Sequence, residues 1–206
     1  MPSHLAKPSF YARYFKRVLD LIASGFGLLF LLPIFIVLAI WVKLSSKGPV
    51  IFKHERLGLR HRPIQVYKFR SMTHGAKGAE ISTSEDARIT SAGRVLRRYK
   101  LDELPQLWNV FVGDMSLVGP RPEVQRYVDM FAEDYKEVLS VRPGITDYAA
   151  VNFANEAEVL EAADDPEALY CQEILPQKIQ YYKKYIADIS LRTDLRLIFR
   201  TVFRSY

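Results

Sequence analysis

The sequence predicts an α+β fold: a mostly helical single domain with a short β-hairpin, an N-terminal re-entrant membrane helix broken at Pro33, and amphipathic helices at the C-terminus. Three observations carry this prediction. The 22 residues from Leu21 to Val42 contain no charged side chain, two short segments joined near Gly58 are rich in β-forming residues, and apolar residues recur at spacings of three and four from Ile179 onwards. We expect residues 1–46 to form the interfacial segment and membrane helix, and residues 47–206 a cytoplasmic domain.

The apolar segment is long enough to cross a membrane. As a helix it would measure about 33 Å, against a hydrocarbon core of about 30 Å. Pro33 removes a backbone hydrogen bond, and cations flank both ends, which the positive-inside rule places in the cytoplasm. We therefore predict that the helix enters, turns near Leu32 and Pro33 and returns to the same face, with a kinked spanning helix as the alternative. The flanking cations are Lys7, Arg13, Lys16 and Arg17 on one side and Lys43, Lys47, Lys53, Arg56, Arg60 and Arg62 on the other.

One acid, Asp20, stands beside the apolar segment. It follows Arg17 by three residues and Lys16 by four, so the three side chains share a helical face. We expect Asp20 to form a neutralising ion pair with one of them at the membrane interface.

After Gly48 and Pro49, the segments PVIFKHERLG and RPIQVYKFRSM are typical of two short strands joined around residues 58–62. In the second segment Lys68 and Arg70 alternate with Phe69. These cations either lie solvated on an edge strand or face a functional site.

The segment LDELPQLWNVFVGDMSLVGPRPE follows a cationic run, RVLRRYK. Proline is tolerated in a first helical turn, so a helix should begin near Leu101 or Asp102 and end around Gly113. Asp102 and Glu103 would then lie at its positive end, either as simple caps or as functional acids. A carboxylate nucleophile, a second carboxylate able to hold Mg²⁺ and nearby guanidinium groups are what phosphoryl transfer requires.

Four motifs in one order, YKFRSM, LDELPQLWN, GDMSLVGPRP and RPGIT, resemble the bacterial sugar transferases, the monotopic phosphoglycosyl transferases. The resemblance runs from about Phe15 to the C-terminus. It implies that Asp102 attacks the β-phosphorus of the donor, that Glu103 holds Mg²⁺ and that Arg121 binds phosphate. It makes Lys68, Arg70 and Arg142 weaker substrate-binding candidates. Many members have glycine directly after the last motif, where this chain has Asp147.

The family resemblance implies a phosphoglycosyl transferase at the cytoplasmic face of the bacterial inner membrane. It would move a sugar 1-phosphate from a nucleotide sugar, UDP-linked, to polyprenyl (undecaprenyl) phosphate, giving a polyprenyl diphosphate-sugar and UMP. This would be a first membrane step of glycoconjugate or polysaccharide synthesis. The alternative is a noncatalytic, membrane-anchored basic scaffold for polysaccharide assembly. The sugar, the polyprenyl length and the pathway stay open, as does homo-oligomerisation.

The charge distribution narrows the class of partner. The chain has a formal charge of +6, with twelve Lys and Arg against four acids in residues 53–100 and eleven acids against two cations in residues 129–167. This order, a basic segment followed by an acidic one, is consistent with anionic membrane lipid as a partner and argues against nucleic acid as a partner. The single cysteine, Cys171, excludes an intramolecular disulfide, and the four histidines lack zinc-site spacing.

The C-terminal stretch predicts a cationic amphipathic helix. Leu191, Leu195, Ile198 and Val202 recur at spacings of three and four. Arginines repeat at spacing four, which disfavours the isolated helix, so they face either solvent or an anionic surface. These arginines are Arg192, Arg196, Arg200 and Arg204.

Overall fold

A computed structural model describes residues 10–76, 78, 82–83, 86–153 and 155–203. Lys7 and Arg204, named above, lie outside these residues. The described part is mostly helical, with two pairs of short strands. The helices are α1 (Lys16–Phe30, after a π-helical turn at Tyr11–Phe15), α2 (Leu32–Ser45), α3 (Ser91–Arg98), α4 (Gln106–Val112), α5 (Gln125–Met130), α6 (Ala132–Val138), α7 (Tyr148–Asn152), α8 (Glu156–Glu161), α9 (Pro166–Leu169), α10 (Leu175–Ala187) and α11 (Leu191–Val202). The strands are β1 (Ile51–Leu57), β2 (Pro63–Phe69), β3 (Ser116–Val118) and β4 (Gly144–Thr146).

The apolar segment forms two helices, α1 and α2, that meet at an angle of 62°. Within the described residues no single helix is long and apolar enough to cross a membrane, whereas this bent pair meets the length and composition criteria together. The break lies at Leu31 rather than at Pro33. Pro33 falls in the first turn of α2, where an N–H group is not needed for helical bonding.

Helix α1 packs along α4. Gly25 favours this close approach, since a Cβ atom added to it would lie 3.2 Å from the Phe111 ring, whereas a Cβ atom on Gly27 would make an ordinary contact of 3.4 Å with the Leu107 side chain. At the start of α1, Arg17 binds the end of α4 by donating hydrogen bonds of 2.6 and 2.8 Å to the carbonyl oxygens of Val110 and Phe111. The last turn of α4 thus finds partners for its free carbonyl groups in a side chain of α1.

The predicted ion pair of Asp20 is wrong. Asp20 is buried and accepts a hydrogen bond of 3.0 Å from the backbone N–H of Leu117 in β3. Lys16 pairs instead with Asp194 of α11 at 2.6 Å. Helical spacing places Lys16, Arg17 and Asp20 on one face of α1, but each of them binds a group on another element instead of binding one another.

The two predicted strands form an antiparallel hairpin, with Ile51 opposite Phe69 and Leu57 opposite Pro63. A second pair, β3 and β4, is parallel, and the sequence did not indicate it. At its end the Gly119 N–H donates to the Thr146 carbonyl at 2.9 Å, and the Gly144 N–H donates to the Pro120 carbonyl at 2.9 Å. A Cβ atom on Gly144 would overlap the Gly119 backbone, so this approach requires glycine.

The main core surrounds α10, whose Leu175, Ile179 and Tyr182 are fully buried. A separate cluster joins the bent apolar helix pair, α1 and α2, to the site described below. It consists of Leu38 and Val42 of α2, Phe69 of β2 and Leu96 of α3. Because α2 shares this cluster, the end of β2 and the end of α3 are held directly against the apolar helix pair.

Helix α11 is amphipathic, but its apolar stripe faces outward. Leu197 and Asp194 are buried, whereas Leu191, Leu195 and Phe199 are exposed. The arginines of this helix that the structure describes, Arg192, Arg196 and Arg200, are exposed too. The outer surface of α11 therefore combines apolar side chains with cations, a composition typical of helices that lie at a membrane surface.

Candidate active site

Asp102 and Glu103 lie in a single 3₁₀ turn, Leu101–Glu103, between α3 and α4. Helix α4 begins only at Gln106, later than predicted, and it ends at Gly113 with φ of 98°, as predicted. Lys100 precedes the turn in a left-handed conformation, with φ of 55°. Leu101 and Leu104 pack into the cluster shared with α2, which fixes the turn against the bent apolar helix pair.

Glu103 is held by two cations from different elements. Lys68 of β2 donates to Oε1 at 3.0 Å, and Arg121 donates to both carboxylate oxygens, to Oε2 at 3.3 Å. Burial by itself raises the pKa of the Glu103 carboxyl, but Arg121 and Lys68 outweigh burial and hold this pKa well below its ordinary value. Glu103 is therefore ionised and fixed in position.

Asp102 has a different environment. It is 6% exposed, and its Oδ1 atom has no hydrogen-bond partner among the described residues. Burial, and then the charge of Glu103, raises the pKa of the Asp102 carboxyl, whereas Lys68, Arg97 and Lys100 act in the opposite direction. An unpaired buried carboxylate oxygen is costly for folding, so its retention near three cations points to a functional role.

Arg97 belongs to this site, and sequence reasoning did not single it out. Its Nε atom donates to Ser71 Oγ at 2.9 Å and its Nη1 atom to Ser82 Oγ at 2.8 Å. Burial lowers the pKa of the Arg97 guanidinium, while Asp102 is the strongest group that opposes this shift. The cationic run before the acids was the available signal, but only the helical turn of α3 selects which of its members faces Asp102.

Two of the four sequence-predicted binding residues lie elsewhere. Arg70 is buried and donates to the carbonyl oxygens of Pro49, of Val42 at 3.2 Å and of Ser46 at 2.6 Å, so it caps the end of α2. The sequence offered Lys68 or Arg70 for the site, and the fold brings Lys68 to Glu103, whereas Arg70 follows the end of β2 at Phe69 and binds backbone carbonyl groups.

Arg142 also lies away from the two acids. It donates through Nε to the Gly113 carbonyl at 3.0 Å. Gly113 ends α4, whereas Asp102 precedes that helix, so the two positions are separated by the helix length. Lys68 and Arg121 are the predicted cations that the fold brings to the acids.

The site offers few ligands for a metal ion. Among the described residues no group of three or more His, Cys, Asp or Glu side chains could hold one. Asp102 and Glu103 supply two adjacent carboxylates. Mg²⁺ is commonly bound by one or two carboxylates together with the phosphates of a substrate, so these residues fit a metal that arrives with a diphosphate.

An acid with a free oxygen that lies near three cations and next to a bent apolar helix pair is suited to a phosphate-bearing substrate at a membrane. The family model of the bacterial sugar transferases matches residues 11–206, and the chain belongs to this family.

Curated relatives agree with this assignment. A UDP-glucose:undecaprenyl-phosphate glucose-1-phosphate transferase of Klebsiella pneumoniae is 39% identical over 93% of this chain and 40% of its own length. A UDP-N-acetylgalactosamine-undecaprenyl-phosphate N-acetylgalactosaminephosphotransferase of Aeromonas hydrophila is 36% identical over 95% of this chain and 44% of its own length. The chain thus spans about two fifths of the length of these two relatives. The exopolysaccharide production protein PSS of Rhizobium leguminosarum bv. phaseoli is 37% identical over 91% of this chain and 92% of its own length.

Proposed function

We propose that this protein transfers a sugar 1-phosphate from a UDP-sugar to polyprenyl phosphate, through a covalent phosphosugar on Asp102. The observation that carries the proposal is the difference between two adjacent acids. Glu103 is bound by Lys68 and Arg121, while Asp102 keeps an oxygen without a partner among the described residues. Relatives named as UDP-sugar:undecaprenyl-phosphate transferases support this choice of donor and acceptor.

The reaction has two displacements at one phosphorus atom. In the first, a carboxylate oxygen of Asp102 forms a bond to the β-phosphorus of the donor, and the bond from that phosphorus to the bridging oxygen breaks. UMP leaves with the electron pair. In the second, a phosphate oxygen of the polyprenyl phosphate attacks the same phosphorus, the bond to Asp102 breaks, and the carboxylate is regenerated with a polyprenyl diphosphate-sugar as product.

The surrounding cations serve both displacements. Arg121, Lys68 and Arg97 come from three elements and converge on the two acids, so they can bind the phosphate groups and offset the charge that develops on them. Lys68 and Arg97 also act against the rise that burial and Glu103 cause in the pKa of Asp102, whose ionised form the first attack requires. Both Lys68 and Arg121 bind the Glu103 carboxylate, and in this proposal Glu103 serves as the metal ligand rather than as the nucleophile.

Mg²⁺ belongs to the proposal, with Glu103 as its protein ligand. When bound, it would neutralise charge on the diphosphate and assist the departure of UMP. Glu103 is its carboxylate ligand in this proposal, and oxygens of the diphosphate would supply further ligands.

We further propose a monotopic arrangement at the cytoplasmic face of the bacterial inner membrane. Residues 1–46 would form the re-entrant anchor, and residues 47–206 the catalytic domain with its surface helices. Exposed apolar side chains run along the bent helix pair, for example Phe26, Leu29 and Val37, and a further apolar stripe beside arginines runs along α11. Anionic lipid is the partner that both features suit.

The decisive variant for the chemistry is Asp102→Asn. It preserves shape and removes the nucleophile, so UMP release from the productive UDP-sugar should fall at least about 1000-fold while the thermal unfolding midpoint stays unchanged. Asp114→Asn, an acid at the far end of α4, is the matched control and should turn over normally. Normal UMP release by Asp102→Asn would rule out Asp102 as the nucleophile. Absence of UMP release by the wild-type protein with every donor would favour the noncatalytic scaffold.

A panel of radiolabelled UDP-sugars identifies the donor first. Membranes containing the protein are incubated with each sugar, and lipid-extractable label is scored. Label from one donor that depends on polyprenyl phosphate supports the proposal. Absence of label from every donor contradicts it.

A further inference from the structure

The loop that carries Arg121 is hydrogen-bonded to the segment after β4. Asp147 is fully buried, and its Oδ2 atom accepts the backbone N–H of Arg121 at 3.0 Å. Its Oδ1 atom accepts the N–H of Ala150 at 2.6 Å and so caps α7. One carboxylate therefore joins two backbone segments by its two oxygens.

This junction lies directly behind the active-site arginine. Pro120 and Pro122 flank Arg121 and restrict its backbone, and the exchange of hydrogen bonds between Gly119, Gly144 and their neighbours holds the same loop from the other side. The guanidinium group of Arg121 then reaches both oxygens of Glu103. A continuous series of contacts runs from Asp147 through the Arg121 backbone to Glu103.

The charge of Asp147 suits this role. Burial raises the pKa of its carboxyl, whereas the N–H of Ala150, Lys178 and the N–H of Arg121 act in the opposite direction. Because both oxygens accept N–H groups, the ionised carboxylate is the form that matches the geometry. An ordinary helix cap would require only the Ala150 bond, and the bond to Arg121 is the additional feature.

We propose that Asp147 is a positioning residue that fixes the Arg121 loop and thereby orients the guanidinium group on Glu103. The expected effect of Asp147 on catalysis rests on the proposed function. The effect of Asp147 on the rigidity of the Arg121 loop can be measured in the absence of turnover. It also gives a role to the residue by which this chain departs from the glycine that many family members carry after the RPGIT motif.

Asp147→Asn separates the two bonds. The amide oxygen can still cap α7, since asparagine is a favourable cap, but the amide NH₂ group cannot accept the Arg121 N–H. Asp147→Ser is the second variant, because serine also caps a helix while its shorter side chain does not reach Arg121. Asp165→Asn is the matched control. Asp165 caps α9 through the N–H groups of Glu167 and Ala168, away from the acids.

Amide hydrogen exchange of the full-length protein in lipid nanodiscs is the first measurement. The peptide 119–123 contains two prolines and begins with Gly119, so its exchange reports on only two backbone amides, those of Arg121 and Glu123. We expect exchange in this peptide to rise about tenfold in Asp147→Asn and Asp147→Ser and to stay unchanged in Asp165→Asn. Unchanged protection in both Asp147 variants would overturn the proposal, whether or not the wild-type protein transfers sugar.

A double-mutant cycle with Arg121→Lys is the second measurement. Lysine keeps the charge but cannot make two parallel bonds to Glu103, so it depends less on the loop. We expect Asp147→Asn to lower kcat/KM for the donor about tenfold in the wild-type background and less than about twofold in the Arg121→Lys background. An equal loss in both backgrounds would show that Asp147 acts independently of Arg121 and would refute the positioning role. Absence of transfer by the wild-type protein would instead refute the proposed function, and the exchange measurement would still decide this inference.

Discussion

Lys16 and Asp194, 178 positions apart in the chain, form an ion pair of 2.6 Å that joins the start of α1 to α11. Asp194 also accepts hydrogen bonds from Tyr11 at 2.7 Å and from Tyr185 at 2.8 Å. One buried carboxylate thus links the beginning of the membrane helix pair, helix α10 and the C-terminal helix.

Removing this carboxylate should destabilise the whole molecule. Asp194→Ala leaves Lys16 without its buried partner, and we expect the free energy of unfolding to fall by about 3–5 kcal/mol, measured by denaturation in detergent. Lys136 and Glu133 form a pair of the same length on the surface, where the Glu133 side chain is 84% exposed. Glu133→Ala should cost less than about 1 kcal/mol. Equal effects of the two variants would contradict the linking role of Asp194.

Arg70 and Lys68 should respond to substitution in opposite ways. Arg70→Met removes the cap of α2, so the thermal unfolding midpoint should drop, while the KM for the donor in the folded fraction should stay unchanged. Lys68→Met removes a cation from Glu103, so turnover should fall at least about tenfold with a smaller change in the midpoint. A raised donor KM in Arg70→Met with normal stability would return Arg70 to the binding site.

Re-entry of the helix pair predicts that both of its ends face the cytoplasm. In a Cys171→Ser background, Arg13→Cys and Lys47→Cys place single thiols at exposed positions before α1 and after α2. A membrane-impermeant maleimide should label neither thiol in intact spheroplasts and both in inside-out vesicles. Labelling of the two positions from opposite sides would establish a spanning helix.

We expect the dependence of UMP release on Mg²⁺ to require the carboxylate of Glu103. Removal of divalent ions with EDTA should abolish UMP release, and added Mg²⁺ should restore it. In Glu103→Gln, the Mg²⁺ concentration that gives half-maximal activity should rise at least about tenfold. Glu55→Gln, a substitution of an exposed acid on β1, should not change it. Full activity in EDTA would exclude the metal from the mechanism.

The local sequence pattern was sufficient to predict those parts of the fold that depend on residues close together in the chain. The hairpin, the interruption of the apolar segment and the end of α4 at Gly113 all follow from residues adjacent in sequence. The parallel pair β3 and β4 was missed because its strands are three residues each and show no periodicity. Asp20 was misassigned, and the choice between Lys68 and Arg70 stayed open, because the partners of these residues come from other elements, which helical spacing and strand alternation do not reveal.

The candidate site likewise contains residues that the sequence indicated and residues that only the fold identifies. The motif resemblance indicated Asp102, Glu103, Lys68 and Arg121, and the fold brings these four together. Arg97 was hidden among four cations of one short run, since only the orientation of α3 distinguishes it. The contact of Asp147 with the Arg121 backbone requires the parallel strand pair, which was itself not predicted.

The most direct test of the central proposal is mass spectrometry of the protein after incubation with the productive UDP-sugar and Mg²⁺ in the absence of polyprenyl phosphate. We expect a mass increase equal to one phosphosugar, located by peptide fragmentation at Asp102, which disappears when polyprenyl phosphate is added. Transfer to lipid by a protein that never carries this modification, or that works equally well as Asp102→Asn, would contradict the covalent mechanism.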